Sequence, residues 1–182
     1  MVDTVHADGG TRGNGTTISR RASNHSAPWP MPAVVFLRHA KSDWDTGETP
    51  DLNRPLADRG RRAAAAAGRF LAETGKLPDL ALCSPAVRTH QTLELAMSAG
   101  NWTCPTETVD ELYYGTVDDM VSLAGRRRAP VTMLVGHEPT ISGTLKQITG
   151  ADVRIPTAAL AWVNLNTGTL EWLIPPRLLT DR

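Results

Sequence analysis

From residue 33 onward, short apolar runs alternate with longer stretches of helical character. Residues 34–37, Val-Val-Phe-Leu, carry no polar interruption, the pattern of a strand buried on both faces. Residues 80–83 and 131–135 repeat it, and 106–109 reads as a weaker edge strand. Between them, residues 58–74 are rich in Ala and Arg and close on Gly75 and Pro78, the stop signals of a helix. Ser84-Pro85 supplies an N-cap and a first-turn proline for a helix ending near Ala99, before Gly100. Thr116 and Asp119 have the spacing of a capping box, and Arg126 to Arg128 set positive charge at that helix's negative end. A further helix runs from about Pro139 to Ile148 and stops at Gly150. Residues 158–165 and 169–174, separated by Asn166-Thr167-Gly168, read as a β-hairpin. The alternation predicts an α/β fold of three layers. A mostly parallel central sheet has helices on both faces, and a C-terminal antiparallel hairpin completes it.

Residues 1–32 break this pattern. Between Asp8 and Ala27 the one large aliphatic residue is Ile18, and Pro28, Trp29, Pro30, Met31 and Pro32 form a stiff lead-in. Such a segment cannot bury enough apolar surface to offset its ordering entropy. A disordered tail over 1–32 and a single domain over 33–182 are expected, and 182 residues suit one domain.

Lys plus Arg total 19 and Asp plus Glu total 19, a balance that argues against a dedicated nucleic-acid binder. No apolar run approaches the roughly 18 residues of a membrane span, and the N-terminus lacks the apolar core of a secretory signal. Two cysteines, Cys83 and Cys104, suggest neither a disulfide scaffold nor a four-ligand zinc site. The expectation is a reduced, cytoplasmic protein with no metal or other cofactor and no nucleic-acid or membrane partner. Nothing in the pattern sets an oligomeric state.

Ligands of such sheets bind at the carboxyl ends of the strands. Arg38 and His39 follow the first strand. Ser84, Pro85 and, in the first helical turn, Arg88 follow the second, and Gly136 and His137 follow the strand at 131–135. Two arginines and two histidines thus reach one sheet edge from three strands. Arginine's planar fork suits phosphate oxygens, and histidine can act as nucleophile, acid or donor near neutral pH. Together they describe a phosphoryl pocket without a metal. Ser84 reads as the cap that positions Arg88, and Cys83 as core packing. His6, His25 and His90 do not share the placement. Glu138 follows His137 without a His-Glu-x-x-His pattern, and no P-loop motif is present, which disfavours a zinc protease and a P-loop hydrolase.

Phe36-Leu37-Arg38-His39-Ala40, Ser84-Pro85-Ala86-Val87-Arg88 and Val135-Gly136-His137 resemble the three signatures of the histidine phosphatase superfamily, of phosphoglycerate mutase-like fold. Arg54-Pro55-Leu56 with Gly60, Gln91-Thr92 and Pro156-Thr157-Ala158 extend the likeness over residues 33–175. Within the superfamily, the short chain and the Arg-His-Ala-Lys-Ser start resemble the SixA-type phosphohistidine phosphatases. Ala40 stands where the larger family usually has glycine. The resemblance implies that His39 attacks phosphorus through one ring nitrogen, giving a phosphohistidine that water hydrolyses. It also implies that Arg38, Arg88 and His137 bind the phosphoryl oxygens and stabilise charge during transfer. Arg54 resembles the family's loop arginine and lines the same pocket. Glu111, in Asp110-Glu111-Leu112-Tyr113-Tyr114-Gly115, matches the place where relatives carry an acidic proton donor; Asp43 and Asp45 have no match.

The implied substrate is a phosphorylated protein or a small phosphomonoester, reached through an open groove because no segment is long enough for a large cap. The alternatives are a small-molecule phosphomonoesterase and a noncatalytic phospho-ligand or protein-binding module of the same fold. A mutase fits the short chain less well. Intact Arg38, His39, Arg88 and His137 favour an enzyme, since binding alone needs no nucleophile.

Overall fold

Alternation along the first strand sets the layers. Val34 and Phe36 pack into one apolar cluster, while Ala33, Val35 and Leu37 pack into another on the opposite face. That strand, β1 (Ala33–Arg38), lies inside a six-stranded sheet of order β3-β2-β4-β1-β5-β6. The computed structural model describes residues 32–44, 47, 49–126 and 128–180. The expected tail therefore lies outside the described residues, save Pro32, and so do Asp45 and Arg127.

Strands β2 (Leu80–Cys83), β3 (Thr106–Thr108) and β4 (Val131–Gly136) run parallel to β1. The hairpin of β5 (Leu160–Asn164) and β6 (Thr169–Ile174) is antiparallel and pairs through β5 with β1. Helices α1 (Asp58–Glu73) and α2 (Val87–Gly100) cover one face, joined by the short α6 (Arg177–Thr180). On the other face lie α3 (Glu111–Tyr114), α4 (Val117–Gly125) and α5 (Thr140–Thr149). This is the predicted three-layer α/β architecture, mostly parallel with an antiparallel C-terminal end. No helix among the described residues is long and apolar enough to cross a membrane. Phe36 is fully buried in the centre of the sheet, where truncation to alanine ordinarily costs about 3–5 kcal/mol.

Three local expectations are corrected. Helix α2 begins at Val87 with Ala86 at its N-cap, so Ser84 and Pro85 precede the helix rather than cap it. Ser84 is held elsewhere, as described below. The hairpin begins at Leu160 because Ala158 adopts φ 62° and turns its N–H onto the carbonyls of Arg38 and His39. Helix α4 ends at Gly125, and Arg128 leaves the helix end to pair with Glu107 on β3 through two contacts of 2.6 and 2.7 Å. The capping box of Thr116 and Asp119 forms as expected.

One glycine ties the helical layer to the sheet edge. A Cβ on Gly60 would lie 2.1 Å from the carbonyl oxygen of Lys41. Only glycine lets the start of α1 approach the loop after β1 so closely, and the Ala57 N–H donates to that same carbonyl at 3.0 Å.

Candidate active site

Register brings three strand ends level. Arg38 pairs with Gly136 and Cys83 with Val135, so His39, Ser84 and His137 emerge side by side. The His39 N–H donates to Gly136 O and the Ser84 N–H to Val135 O, each at 3.0 Å, carrying the ladder one step past the strands. These residues open onto a cavity of about 340 Å³. Arg38, Arg54 and Arg88 line it with the two histidines, as do Ser42, Asp51, Tyr113, Glu138 and Thr157.

His39 is buried, and its Nδ1 lies 2.7 Å from the carbonyl oxygen of Ala40. A carbonyl can only accept, so Nδ1 carries the proton and Nε2 keeps the lone pair in the neutral ring. Ala40 is fixed in turn, its N–H donating to Thr92 Oγ1 of α2 at 3.0 Å. Burial pushes the His39 pKa down to about 4; the Ala40 carbonyl works against this, and the charges of Arg88, Arg38 and Arg54 add to it. His137 is pushed down to about 3, first by burial and then by His39 and Arg88. Near neutral pH both rings are uncharged, and their centroids lie 5.0 Å apart.

Ser84 Oγ lies 2.8 Å from His137 Nε2, and an Arg88 Nη lies 3.4 Å from His137 Nδ1. Arginine can only donate, so Nδ1 is the acceptor and Nε2–H donates to Ser84. Arg88, 5% exposed, and Arg54, 7% exposed, are both gripped by Asp51. Its carboxylate accepts from Arg54 at 2.6 Å, Arg88 at 2.9 Å and the Tyr113 hydroxyl at 2.8 Å. Its backbone carbonyl takes another Arg88 bond at 2.6 Å. Burial acts to raise the Asp51 carboxyl, but the bonds from Arg54 and Tyr113 and the charge of Arg88 hold it at about 2. Arg54 also donates to Ser42 Oγ, and Arg38 to Ile155 O at 2.6 Å. Among the described residues, the buried Nε atoms of all three arginines lack a hydrogen-bond partner. Unpaired buried donors are costly, and an oxyanion is the ligand that would satisfy guanidinium groups converging on one cavity.

Five of the six residues singled out by sequence, Arg38, His39, Arg54, Arg88 and His137, thus share one cavity. Glu111 does not join them: it is exposed at the start of α3 and is not among the lining residues. Asp51, Tyr113 and Glu138 also line the cavity, and the sequence does not mark them as site residues. Asp51 sits in a single turn of 3-10 helix (Asp51–Asn53), far in sequence from its partners, and carries no motif of its own. Tyr113 lies two positions after Glu111 and carries no sequence signal of its own. Glu138, whose Oε1 is buried and unpartnered among the described residues, adjoins His137, and the one pattern it enters in the sequence is an incomplete zinc motif. Cys83 is core packing as expected, its thiol pushed up to about 12 by burial.

The model of the histidine phosphatase superfamily, branch 1, matches residues 34–135 of this chain. The chain belongs to that superfamily. A SixA structure from Agrobacterium tumefaciens is 31% identical and superposes with a TM-score of 0.73, covering 80% of this chain and 98% of its own. A protein histidine phosphatase SixA solved with tungstate shares the fold at 22% identity and a TM-score of 0.71, over 81% of this chain and 99% of its own. An uncharacterized protein of Mycobacterium tuberculosis is 36% identical over 125 residues, 65% of this chain and 75% of that protein. A 2,3-bisphosphoglycerate-dependent phosphoglycerate mutase of Streptococcus pyogenes is 32% identical over 59% of this chain and 47% of the mutase. This member of the superfamily is therefore of SixA type, and a phosphatase is the enzyme class its family and neighbours support.

Proposed function

We propose that this histidine phosphatase removes phosphoryl groups from phosphohistidine in proteins, with His39 as nucleophile. The observation that carries the reading is the His39–Ala40 hydrogen bond, which leaves Nε2 unprotonated on a neutral ring beside three arginines. In the first step Nε2 of His39 bonds to phosphorus while the bond from phosphorus to the substrate's imidazole nitrogen breaks. The substrate nitrogen keeps the electron pair. Water then attacks phosphorus as the His39 bond breaks, Nε2 recovers its lone pair, and phosphate leaves as dihydrogen phosphate, with the water's two protons shared among its oxygens.

The positive charge that phosphoryl transfer requires comes from Arg38, Arg54 and Arg88, so the reaction needs no metal. A bound dianion would draw a proton onto His137, whose Nδ1 could then donate to it. Two carboxylates line the cavity, Asp51 and Glu138. Asp51, held at about 2, is ionised at neutral pH and cannot donate a proton there, and Glu111 lies outside. Imidazole, with a pKa of about 6.5, leaves with little acid help, whereas an alkoxide needs a donor.

Release of phosphate from a histidine-phosphorylated peptide, with and without chelator, tests the proposal. Chelator-insensitive turnover that exceeds turnover of an alkyl phosphate is expected. No turnover of either would return the protein to the binding-module reading, and a preference for the alkyl ester would make it a phosphomonoesterase.

A further inference from the structure

Beside the catalytic cavity, sharing Lys41 and Thr157 with its wall, lies a second cavity of about 420 Å³. Four cationic side chains line it: Lys41 from the loop after β1, Arg59 and Arg62 from α1, and Arg177 from α6. None of the residues lining it is acidic. The chain as a whole has a formal net charge of zero, so the concentration is local. The four cations form no salt bridge among the described residues. Arg59 and Arg62 also stand in the first five residues of α1, the end of a helix that disfavours positive charge. An anion in the groove would relieve both the mutual repulsion and this conflict.

We propose that the groove is a subsite for the carboxylate-bearing segment that flanks the phosphorylated residue of a protein substrate. It rests on the phosphatase reading above and adds the kind of protein surface the enzyme accepts. Construction distinguishes it from a site for a second phosphate. In the catalytic cavity Arg54 and Arg88 are buried and locked by hydrogen bonds, an arrangement suited to one compact oxyanion. Arg59, Arg62 and Arg177 are exposed, unpaired among the described residues and carried by two helices. That arrangement attracts several separated carboxylates at a wet rim, and its effect weakens with salt.

The test compares two histidine-phosphorylated peptides of equal length, one flanked by Asp and Glu, the other by Ser and Asn, with free phosphohistidine as control. The wild type at low salt should favour the acidic peptide about tenfold in kcat/KM, as a pair of rim contacts would give. The double variant Arg59→Ala/Arg62→Ala should lose that preference through KM and leave free phosphohistidine turnover unchanged. Both positions are exposed, and an unchanged melting temperature verifies the fold; Arg62→Gln alone should lose part of the preference. Equal turnover of the two peptides by wild type, or a preference that survives in the double variant, overturns the proposal. An arginine-dependent preference for a sugar bisphosphate over its monophosphate, without a peptide effect, overturns it in favour of a second phosphate. Fluorescence anisotropy with the labelled acidic phosphopeptide separates the two readings. Arginine-dependent binding without hydrolysis would overturn the phosphatase reading and keep the subsite; hydrolysis indifferent to flanking charge would do the reverse.

Discussion

Ser84 Oγ sits 2.8 Å from His137 Nε2, joining the end of β2 to the residue that follows β4. Arg88, which can only donate, makes His137 Nδ1 the acceptor, and the Ser84 hydroxyl accepts from Nε2–H and holds the ring in that orientation. Ser84→Ala should lower kcat on a phosphohistidine peptide about tenfold or more, while removing a helix cap would chiefly lower stability. Steady-state kinetics and thermal unfolding of the same variant separate the two. A variant with normal kcat and a lowered melting temperature would restore the capping role.

Ser84 also marks where sequence reading reaches its limit. The strand pattern and the identity of the residue after each strand were enough to bring Arg38, His39, Arg88 and His137 together, because parallel register converts strand ends into one edge. The local rule for Ser-Pro pointed to a cap, but the ring of His137 across the sheet competes for the same hydroxyl. Asp51 was illegible for a related reason. Its three partners come from residues 54, 88 and 113, and only the folded chain shows them converging on one carboxylate. Ala158 looked like a strand residue because nothing in its side chain announces the positive φ that the Arg38 and His39 carbonyls require.

Asp51 holds two buried arginines in place, so Asp51→Asn should destabilise the fold by about 1–2 kcal/mol, reduced from the buried-pair range because the carboxylate is half exposed. Inorganic phosphate should restore more stability to the variant than it adds to wild type, since it supplies the missing anion. Denaturant unfolding at several phosphate concentrations measures both. Identical phosphate increments in the two proteins would mean that Asp51 does not organise the oxyanion site.

The two histidines make stability depend on pH. Their folded pKa values, about 4 and about 3, lie below the value of about 6.5 for an unfolded histidine. Between those limits the unfolded chain binds more protons, so stability rises with pH and is lost as pH falls from about 6.5 toward 4. Melting temperatures across that window should fall less steeply for His137→Ala than for wild type. The enzyme-borne acid limb of kcat/KM should lie near 4, where His39 takes up its proton. Parallel melting curves, or an enzyme limb near 6.5, would contradict the buried neutral pair.

Glu111 lies outside the cavity, and an imidazole leaving group makes small demands on an acid. Glu111→Gln should therefore stay within about threefold of wild type on a phosphohistidine peptide, the opposite of the losses of about 10²-fold or more that removing a general acid brings. A loss of that larger size would give Glu111 the donor role and require α3 to move when substrate binds.

Rapid-quench trapping with a phosphohistidine peptide labelled in the phosphoryl group reads whether a covalent bond forms between His39 and phosphorus. Wild type should carry an acid-labile, base-stable label on His39 that decays as phosphate appears, and folded His39→Ala should carry none and release no phosphate. Turnover by His39→Ala at the wild-type rate, or a label found on another residue, would contradict the account.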